Sequence, residues 1–329
     1  MRQGTSSVRT GGPNQSWYAA ILQKYSIWVV LMLLVLGMGL LSDVFLTWGN
    51  IFNVLRQASI IGIVAVGMTF VIIGGGFDLS VGAVLAFSAI MSIQMQPVTP
   101  GRTALAVLLP LLVGVTTGTV NGFLVGFLRV NPFITTLGTQ FVALGITLLY
   151  TNGQHVWVWN PDPVYAAIGG GFLGPVPIPV LIFAGVAALG HLVLSYTNFG
   201  QYLMATGANE GAAVLSGIRT LWIKVASFII VGTTAALGGV VLGSRVKNLD
   251  PTAGIGYEFE IITAVVLGGT SLSGGRGSVL NTVAGVLILT LIANAMTLLN
   301  ISHHYQLVIR GLILVGSVAL DASSRRRTA

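Results

Sequence analysis

The chain contains 329 residues, of which 54% are hydrophobic and only 7% are charged. Soluble domains carry about 25% charged residues, so this composition excludes a soluble enzyme, a disordered protein and an ordinary nucleic-acid-binding protein, and it predicts a polytopic membrane protein. Basic cytoplasmic loops, which are typical of membrane proteins, explain the net charge of +7 without a nucleic-acid partner.

Residues 1–26 are polar and rich in Gly, Ser and Arg, which predicts a cytoplasmic N-terminal arm. A secretory signal peptide is the alternative interpretation, because Arg2, Arg9 and Lys24 precede an apolar run. However, no small-x-small cleavage site follows residues 27–41, and further apolar runs do follow. The sequence therefore favours a retained first helix.

Apolar runs continue along the rest of the chain. A membrane span needs about 20 apolar residues, and fewer where a helix is broken. By this measure we predict an all-α fold of about ten spans, some of them broken. The eighth span is the weakest, because it is short and begins with two glutamates. The predicted spans are residues 27–46, 58–73, 81–95, 103–128, 133–150, 178–196, 225–243, 258–272, 279–299 and 305–320.

The distribution of Lys and Arg predicts how these spans are oriented. An even number of spans puts both termini on one side of the membrane. With the N-terminus inside, most of the 15 Lys and Arg residues fall on inner segments, as is typical of cytoplasmic loops. We therefore predict cytoplasmic termini, a membrane domain over residues 27–320 and a basic cytoplasmic tail over residues 321–329.

Two glycine-rich segments interrupt the apolar runs. In the first, glycines 74–76 break one helix, and Asp78 or Ser80 caps the next. Transporters place such breaks toward a substrate or a moving joint, although a simple N-cap is the alternative interpretation. The second segment, residues 268–275, shares the pattern G-G-x-x-L-S-x-G with residues 75–82. Two independent helix breakers explain this short match better than a duplication.

Uncharged polar side chains open the fifth span, where Asn131 precedes a proline that suits a helix start. Hydroxyl and amide groups suit a neutral polyol ligand, which makes Thr135 and Thr139 candidates. Glu258 and Glu260 are candidates as well, since a carboxylate at mid-bilayer costs about 2.5–3.5 kcal/mol or more. A solvated helix N-terminus is the equally favoured interpretation of these glutamates.

Two loops are longer than the others. Residues 151–177 lack Lys and Arg and are predicted outside, where Trp157 and Trp159 would serve as interfacial anchors. Residues 198–224 are predicted inside, with one or two helical turns at 210–215 between Gly207 and Gly217. A short helix on a cytoplasmic loop can dock into a groove of a partner protein.

Common catalytic patterns are absent from the sequence. A phosphate-binding Walker loop needs Gly-Lys followed by Ser or Thr, and none of Lys24, Lys224 and Lys247 follows a glycine. No H-E-x-x-H or G-x-S-x-G pattern occurs, and the chain has no cysteine for thiolate chemistry. We therefore predict no catalytic residue, no metal site and no cofactor.

In their order along the chain, the motifs resemble the permease subunits of bacterial ABC importers for ribose, xylose, galactose and related sugars. The resemblance extends from about residue 51 to residue 321. Phe77 and Glu260 depart from the family pattern, which usually has an aliphatic residue and an aspartate there. The matching segments are GGFDLSVG (75–82), NPFITTLGT (131–139), TNGQ (151–154), ATGANEGAA (205–213), LSGI (215–218), PTAGIGYEFE (251–260) and AVVLGGTSLSGGRG (264–277).

The resemblance implies a transport subunit that is not itself an enzyme. It would lie in the lipid of the inner membrane and pair with a second permease, either an identical copy or a paralogue. A periplasmic sugar-binding protein would deliver a neutral pentose or hexose, and a separate cytoplasmic ATP-binding subunit would drive alternating access. No nucleic-acid partner is expected.

The motifs and the resemblance together assign roles to individual residues. The predicted substrate pathway comprises Asp78, Ser80, Asn131, Phe133, Thr135, Thr139, Asn152, Gln154, Tyr257, Glu258 and Glu260. The predicted contact with the ATP-binding subunit lies in loop 198–224 and comprises Gly207, Asn209, Glu210, Ala212, Ala213, Ser216, Gly217 and Ile218.

Three alternatives stay open at this point. An ion-coupled secondary transporter of a small polar solute would use Asp78, Glu258 or Glu260 as ion sites and would need no ATPase. A membrane-embedded enzyme needs clustered acids, histidines or a metal motif, which the sequence lacks. The third alternative is a structural subunit that forms one half of a heterodimeric permease pair.

Overall fold

The computed structural model describes residues 13–96 and 102–326, and this part of the chain is almost entirely helical. It contains thirteen helices and four strands of two residues each. The helices are α1 (Pro13–Leu41), α2 (Trp48–Ile73), α3 (Val81–Gln94), α4 (Arg102–Gly126), α5 (Pro132–Thr151), α6 (Pro163–Gly170), α7 (Ile178–Tyr196), α8 (Asn198–Ala208), α9 (Glu210–Leu215), α10 (Thr220–Val246), α11 (Tyr257–Leu267), α12 (Val279–Leu298) and α13 (His303–Arg326). The strands are β1 (Val156–Trp157), β2 (Phe172–Leu173), β3 (Val176–Pro177) and β4 (Asn248–Leu249).

Among the described residues, six helices are long and apolar enough to cross a membrane: α2, α4, α5, α7, α10 and α12. This confirms the predicted helical, multi-pass fold. Shorter apolar stretches lie in α1, α3 and α13, and the eighth predicted span corresponds to α11, which has 11 residues. Helix α1 begins at Pro13 rather than near residue 27. Residues 1–12 of the predicted arm and residues 327–329 of the predicted tail lie outside the described residues.

Both predicted helix breaks are present. Helix α2 ends at Ile73, and the next turn needs glycine because Gly75 adopts a left-handed conformation with φ = 81°. The chain then enters α3 at Val81. A second break follows α11, where Gly269, Gly274 and Gly275 all have positive φ. The glycines therefore allow turns inside the bundle that residues with a Cβ would resist.

The centre of the bundle is formed by α2, α3 and α10. Ile63, Val64 and Ala65 of α2 are completely buried, as are Val231 and Ala235 of α10. Helix α10 packs against α2, α3 and α4, whereas α1 packs on α12 and α13 packs on α11 at the periphery. The core therefore surrounds the first helix break.

Helix α4 packs against α10 along a stripe of glycines spaced four residues apart, so that they share one helix face: Gly114, Gly118, Gly122 and Gly126. A Cβ on Gly114 would lie 2.2 Å from the carbonyl oxygen of Gly232. A Cβ on Gly118 would lie 2.3 Å from the carbonyl oxygen of Phe228. The two backbones therefore touch directly, so glycine serves close helix packing here. We call this contact the α4–α10 seam.

The loop at 151–177 contains more regular structure than its composition predicts. Strand β1 pairs antiparallel with β4, with Val156 opposite Leu249, and β2 pairs with β3. Tyr165 of α6 is completely buried, and its hydroxyl lies 2.7 Å from the Ser92 hydroxyl. Trp157 and Trp159 are both exposed, in keeping with interfacial anchors. The loop is therefore fastened to α3 and to the segment after α10.

Candidate substrate pathway and coupling segment

A buried polar cluster fills the break between α2 and α3. Asp78 is 1% exposed, and one of its carboxylate oxygens accepts from the Ser80 backbone N–H at 2.8 Å and from the Ser80 hydroxyl at 2.5 Å. Asn121 of α4 donates through Nδ2 to the other carboxylate oxygen at 3.3 Å and to the Ser80 hydroxyl at 3.1 Å. Thr139 of α5 donates to Asn121 Oδ1 at 2.6 Å. The cluster therefore joins α3, α4 and α5.

A simple helix cap does not account for this cluster. Ser80 occupies the N-cap position of α3 but forms no capping hydrogen bond through its side chain. Its hydroxyl instead connects Asp78 and Asn121. Buried polar groups need hydrogen-bond partners, and here they find them in one another across three helices.

The start of α5 is attached to the same break. Asn131 caps α5 by accepting from the Phe133 N–H at 2.9 Å. One turn later, Thr136 Oγ1 accepts from the Leu79 N–H at 3.0 Å. Phe133 itself is 53% exposed and lies outside the polar cluster. The predicted motif at 131–139 thus holds α5 beside the break.

A second polar contact joins α5 to α11. Glu258 is 2% exposed; its Oε1 accepts from Gln140 Nε2 at 3.0 Å, and its Oε2 accepts from the Gly256 N–H at 3.1 Å. Gly82 of α3 lies so close that a Cβ there would be 2.5 Å from Glu258 Oε2 and 2.4 Å from the Gly254 carbonyl oxygen. The burial of Glu258 argues against a solvated helix N-terminus.

A cleft opens beside this contact, between α3, α5 and the loop before α11. It is small, with room for about one water molecule. Its lining combines small apolar side chains with the amide of Gln140 and the hydroxyl of Thr147. The lining residues are Ala83, Ala86, Gln140, Leu144, Thr147, Pro251, Gly254 and Ile255.

Glu260 lies in a different environment from Glu258, although both are on α11. Its Oε1 forms an ion pair with Nη1 of Arg310 on α13. The two side chains are 25% and 33% exposed, respectively. Pairing offsets the cost of placing each charge in an apolar bundle. Glu260 therefore connects α11 to α13, which explains why the last predicted span contains an arginine.

Thr135 adjoins the first of these two polar contacts, whereas three further predicted pathway residues lie apart from both. Thr135 is buried, and its carbonyl oxygen accepts from the Thr139 hydroxyl at 3.1 Å. Tyr257 begins α11 and packs against the core. Asn152 and Gln154 are exposed at the opposite end of α5, about 20 Å from Thr139 at 1.5 Å per helical residue.

The predicted coupling segment folds as two short helices, α8 and α9, in agreement with the predicted turns at 210–215. Asn209 caps α9 by accepting from the Ala212 N–H at 3.0 Å. Glu210 forms an ion pair of 2.6 Å with Lys224 of α10. Gly217 follows α9 with φ = 81°. The segment is therefore held in place by local hydrogen bonds and one ion pair.

Helix α9 buries one side and exposes the other. Ala213 is buried, and its carbonyl oxygen accepts from the Ile218 N–H at 3.0 Å. The Ser216 hydroxyl donates to the carbonyl oxygen of Ala212 at 3.0 Å. In contrast, Leu215 is 91% exposed. An apolar side chain is thus presented at the tip of the segment.

The end of α8 touches both helix breaks. Gly207 lies so close to the end of α2 that a Cβ there would be 1.8 Å from the Ile73 carbonyl oxygen and 2.6 Å from the Gly275 nitrogen. The Gly275 N–H donates to that same Ile73 carbonyl oxygen at 2.8 Å. The two glycine-rich segments therefore lie side by side. We call this contact, formed by Gly75, Gly207, Gly274 and Gly275 around Ile73, the glycine junction.

Comparison with known proteins identifies the family. The model of the family described as "Branched-chain amino acid transport system / permease component" matches residues 50–318. The chain belongs to this permease family.

Relatives resemble the permease over nearly its whole length. It is 40% identical to the ribose import permease protein RbsC of Bacillus subtilis, over 92% of this chain and 94% of that protein. It is 36% identical to the L-arabinose transport system permease protein AraH of Escherichia coli K12, over 96% and 97%. The identity to the D-allose transport system permease protein AlsC of the same strain is 34%, over 92% and 93%. No solved structure matches the chain.

The permease is therefore a transport subunit of the inner membrane and not an enzyme. Its structure also reveals polar residues that the sequence motifs did not single out: Asn121 and Gln140. Each is the single amide side chain of its helix, and that is the signal by which the sequence could have identified them. Arg310, the partner of Glu260, is the only charged residue of the predicted span 305–320, but the sequence does not show which acid it pairs with, because α11 and α13 are far apart in the chain.

Proposed function

We propose that the permease carries a neutral monosaccharide, a pentose or hexose, into the cell by alternating access, driven by ATP. The observation that carries this proposal is the likeness, over at least nine-tenths of this chain, to permeases named for ribose, L-arabinose and D-allose. The uncharged amide and hydroxyl groups at the two polar contacts fit such a cargo. The chain has no Walker loop, so a separate ATP-binding subunit hydrolyses ATP.

Within the membrane we place about ten spans. Six of these spans are the long helices, and three more are the apolar parts of α1, α3 and α13. The tenth is the short helix α11, which spans the membrane together with the broken segment that follows it. Both termini lie in the cytoplasm, with residues 1–26 as the N-terminal arm, residues 27–320 as the membrane domain and residues 321–329 as the basic tail. The excess of Lys and Arg on inner segments supports this orientation.

The substrate pathway runs along the α3–α5–α11 side of the bundle. Asp78, Ser80 and Thr139 form its polar cluster with Asn121, and Glu258 lies next to the cleft. The remaining pathway residues of this proposal are Asn131, Phe133, Thr135, Asn152, Gln154, Tyr257 and Glu260. Weak contacts with uncharged groups suit transport, because a tightly bound cargo would not leave.

The ATP-binding subunit docks on the segment around α9. The exposed Leu215 at its tip supports this placement, since a short helix with an exposed apolar residue suits a partner's groove. When ATP binding closes the ATP-binding subunits, the coupling segment moves. The glycine junction transmits this motion to both helix breaks. The contact comprises Gly207, Asn209, Glu210, Ala212, Ala213, Ser216, Gly217 and Ile218.

The importer contains two permeases, identical or related, and a periplasmic sugar-binding protein on the outer side. Helix α5 supports the pairing, because Phe133, Phe141 and Leu149 are all largely exposed in the single chain. A second permease covers part of such a surface, and lipid covers the rest. The relatives also disfavour the ion-coupled alternative, and the acids offer it little: Glu260 is paired with Arg310, and Asp78 and Glu258 accept hydrogen bonds from protein groups.

Reconstitution tests the proposal. Proteoliposomes would contain the permease, its ATP-binding subunit and the sugar-binding protein, and would be supplied with radiolabelled D-ribose, L-arabinose or D-allose. We expect uptake that needs both ATP and the binding protein. Uptake that ignores ATP and follows a proton or sodium gradient would overturn the proposal.

A further inference from the structure

Gln140 connects a buried carboxylate to the cleft between α3 and α5. It lines the cleft together with Leu144 and Thr147, which follow it by four and seven residues and therefore share its face of α5. At the same time, its Nε2 group donates to Glu258 Oε1 at 3.0 Å. The Gln140 side chain therefore contacts the buried carboxylate of Glu258 and also lines the cleft.

The contact with Glu258 fixes which end of the amide is available to a ligand. A carboxylate only accepts hydrogen bonds, so the NH₂ group of Gln140 must face Glu258. The carbonyl oxygen is then left to accept, and none of the hydrogen-bond donors that the structure describes reaches it. Glu258 cannot readily turn away, because Gly256 donates to it and Gly82 lies against it.

The rest of the cleft suits a ligand that donates hydrogen bonds. The Thr147 hydroxyl donates to the Ala143 carbonyl oxygen at 2.7 Å and is only 1% exposed, so it offers no donor to a ligand in the cleft. Ala83, Ala86 and Gly254 form a close-packed apolar wall, since a Cβ on Gly254 would lie 2.7 Å from Ala86 Cβ. A small apolar cleft with one hydrogen-bond acceptor, the Gln140 carbonyl oxygen, fits a single hydroxyl group of an uncharged sugar.

We infer that Gln140 is a specificity-determining residue of the transport pathway, which accepts a hydrogen bond from a hydroxyl of the passing sugar. Glu258 is its positioning residue, because it sets the orientation of the amide without itself contacting the sugar. This inference rests on the proposed function, since it assumes that a sugar passes through the cleft.

The test compares variants in the reconstituted importer with D-ribose, L-arabinose and D-allose at saturating sugar-binding protein. Gln140→Leu keeps the size of the side chain and removes the acceptor. The matched control is Gln57→Leu, because Gln57 hydrogen-bonds only within α2, to Asn53 at 3.3 Å. We expect Gln140→Leu to lower the maximal rate for the best-transported sugar by about two- to tenfold, the range of one neutral hydrogen bond. The KM should stay unchanged because the binding protein performs the capture, and the ratios of rates among the three sugars should change.

Two further variants cover the possibility that Gln140→Leu does not reach the membrane. Gln140→Asn withdraws the amide by one methylene group, and Glu258→Gln lets the amide of Gln140 adopt either orientation. Both should change the ratios among the sugars, which a purely structural role would leave unchanged.

The possible failures are distinguishable. If wild-type permease takes up none of the three sugars with ATP, its ATP-binding subunit and the binding protein, the proposed function is overturned. If wild type transports and the Gln140 and Glu258 variants that reach the membrane keep its ratios among the sugars, the inference alone is overturned. A change of ratios in Gln57→Leu as large as in Gln140→Leu would also overturn it.

Discussion

The α4–α10 seam and the glycine junction both depend on glycine, but for different physical reasons. At the seam, Gly114 and Gly118 are helical, and what matters is that two helix backbones touch where a Cβ would stand. At the junction, Gly75, Gly274 and Gly275 have φ between 76° and 83°, which residues with a Cβ adopt only with strain. The seam needs the space of glycine, whereas the junction also needs its conformational freedom.

This difference separates folding from coupling. The seam runs along one face of α4 and contains no turn, so a change there should affect whether the bundle forms. The junction joins the coupling segment to the ends of two broken helices through a few close contacts around the Ile73 carbonyl oxygen. A change there should leave most of the core intact and affect how motion passes between the segment and the pathway.

The largest effect should come from Gly118→Leu at the seam. A Cβ at this position already lies 2.3 Å from the Phe228 carbonyl oxygen, and the rest of a leucine needs the helices to separate. Even modest overpacking costs about 1–3 kcal/mol, and a whole side chain should cost more. We expect little folded permease in membranes by immunoblot and detergent gel filtration. Gly37→Leu on α1 is the control, because no atom lies within 4 Å of a Cβ there.

The next largest effect should come from Gly207→Ala at the junction. The new methyl group would lie 1.8 Å from the Ile73 carbonyl oxygen, so α8 has to move away from the breaks. We expect permease at normal membrane level but ATP-dependent uptake reduced by about 5- to 150-fold, the range of typical coupling free energies. Gly211→Ala in the same segment should transport normally, since its nearest contact is Asn209 Oδ1 at 3.4 Å. Equal uptake by the two variants would contradict the role of the junction.

Much of this arrangement could be predicted from local sequence signals. The apolar runs gave most of the helices, and the glycines at 74–76 gave the first break. Asp78 and Ser80 stood out because they follow that break directly. The turn at 210–215 was visible between Gly207 and Gly217 because glycine ends helices. Each of these features depends on residues within a few positions of one another.

The pairings between helices could not be predicted in the same way. Asn121 meets Asp78 across 43 positions, and Gln140 meets Glu258 across 118. Nothing within α4 or α5 specifies which distant carboxylate will lie opposite. The same holds for the two glycine-rich segments, whose short sequence match does not indicate that they lie in contact at the junction. Tertiary packing alone brings such groups together.

A smaller effect is expected from Gly275→Ala. This variant tests at once whether the junction needs the space of glycine and whether it needs its left-handed backbone conformation. Gly275 has φ = 76°, and a Cβ there would lie 2.8 Å from Ala208 Cα. The matched control is Gly269→Ala in the same loop, with φ = 82° and no atom within 4 Å of a Cβ. We expect uptake by Gly275→Ala to fall below that of Gly269→Ala at equal membrane level. Indistinguishable uptake would mean that only backbone strain matters in this loop.

The smallest effect should come from Gly217→Ala after α9. Its φ of 81° makes alanine strained by about 1–2 kcal/mol, but no atom of the part of the chain that the structure describes lies within 4 Å of the new methyl group. Asparagine tolerates this conformation better, so Gly217→Asn should lie closer to wild type in apparent melting temperature. Uptake should follow the same order, with Gly217→Asn closer to wild type than Gly217→Ala. If both instead abolish uptake at unchanged melting temperature, the cause lies outside this chain, in a surface of the ATP-binding subunit that leaves no room for any side chain at position 217.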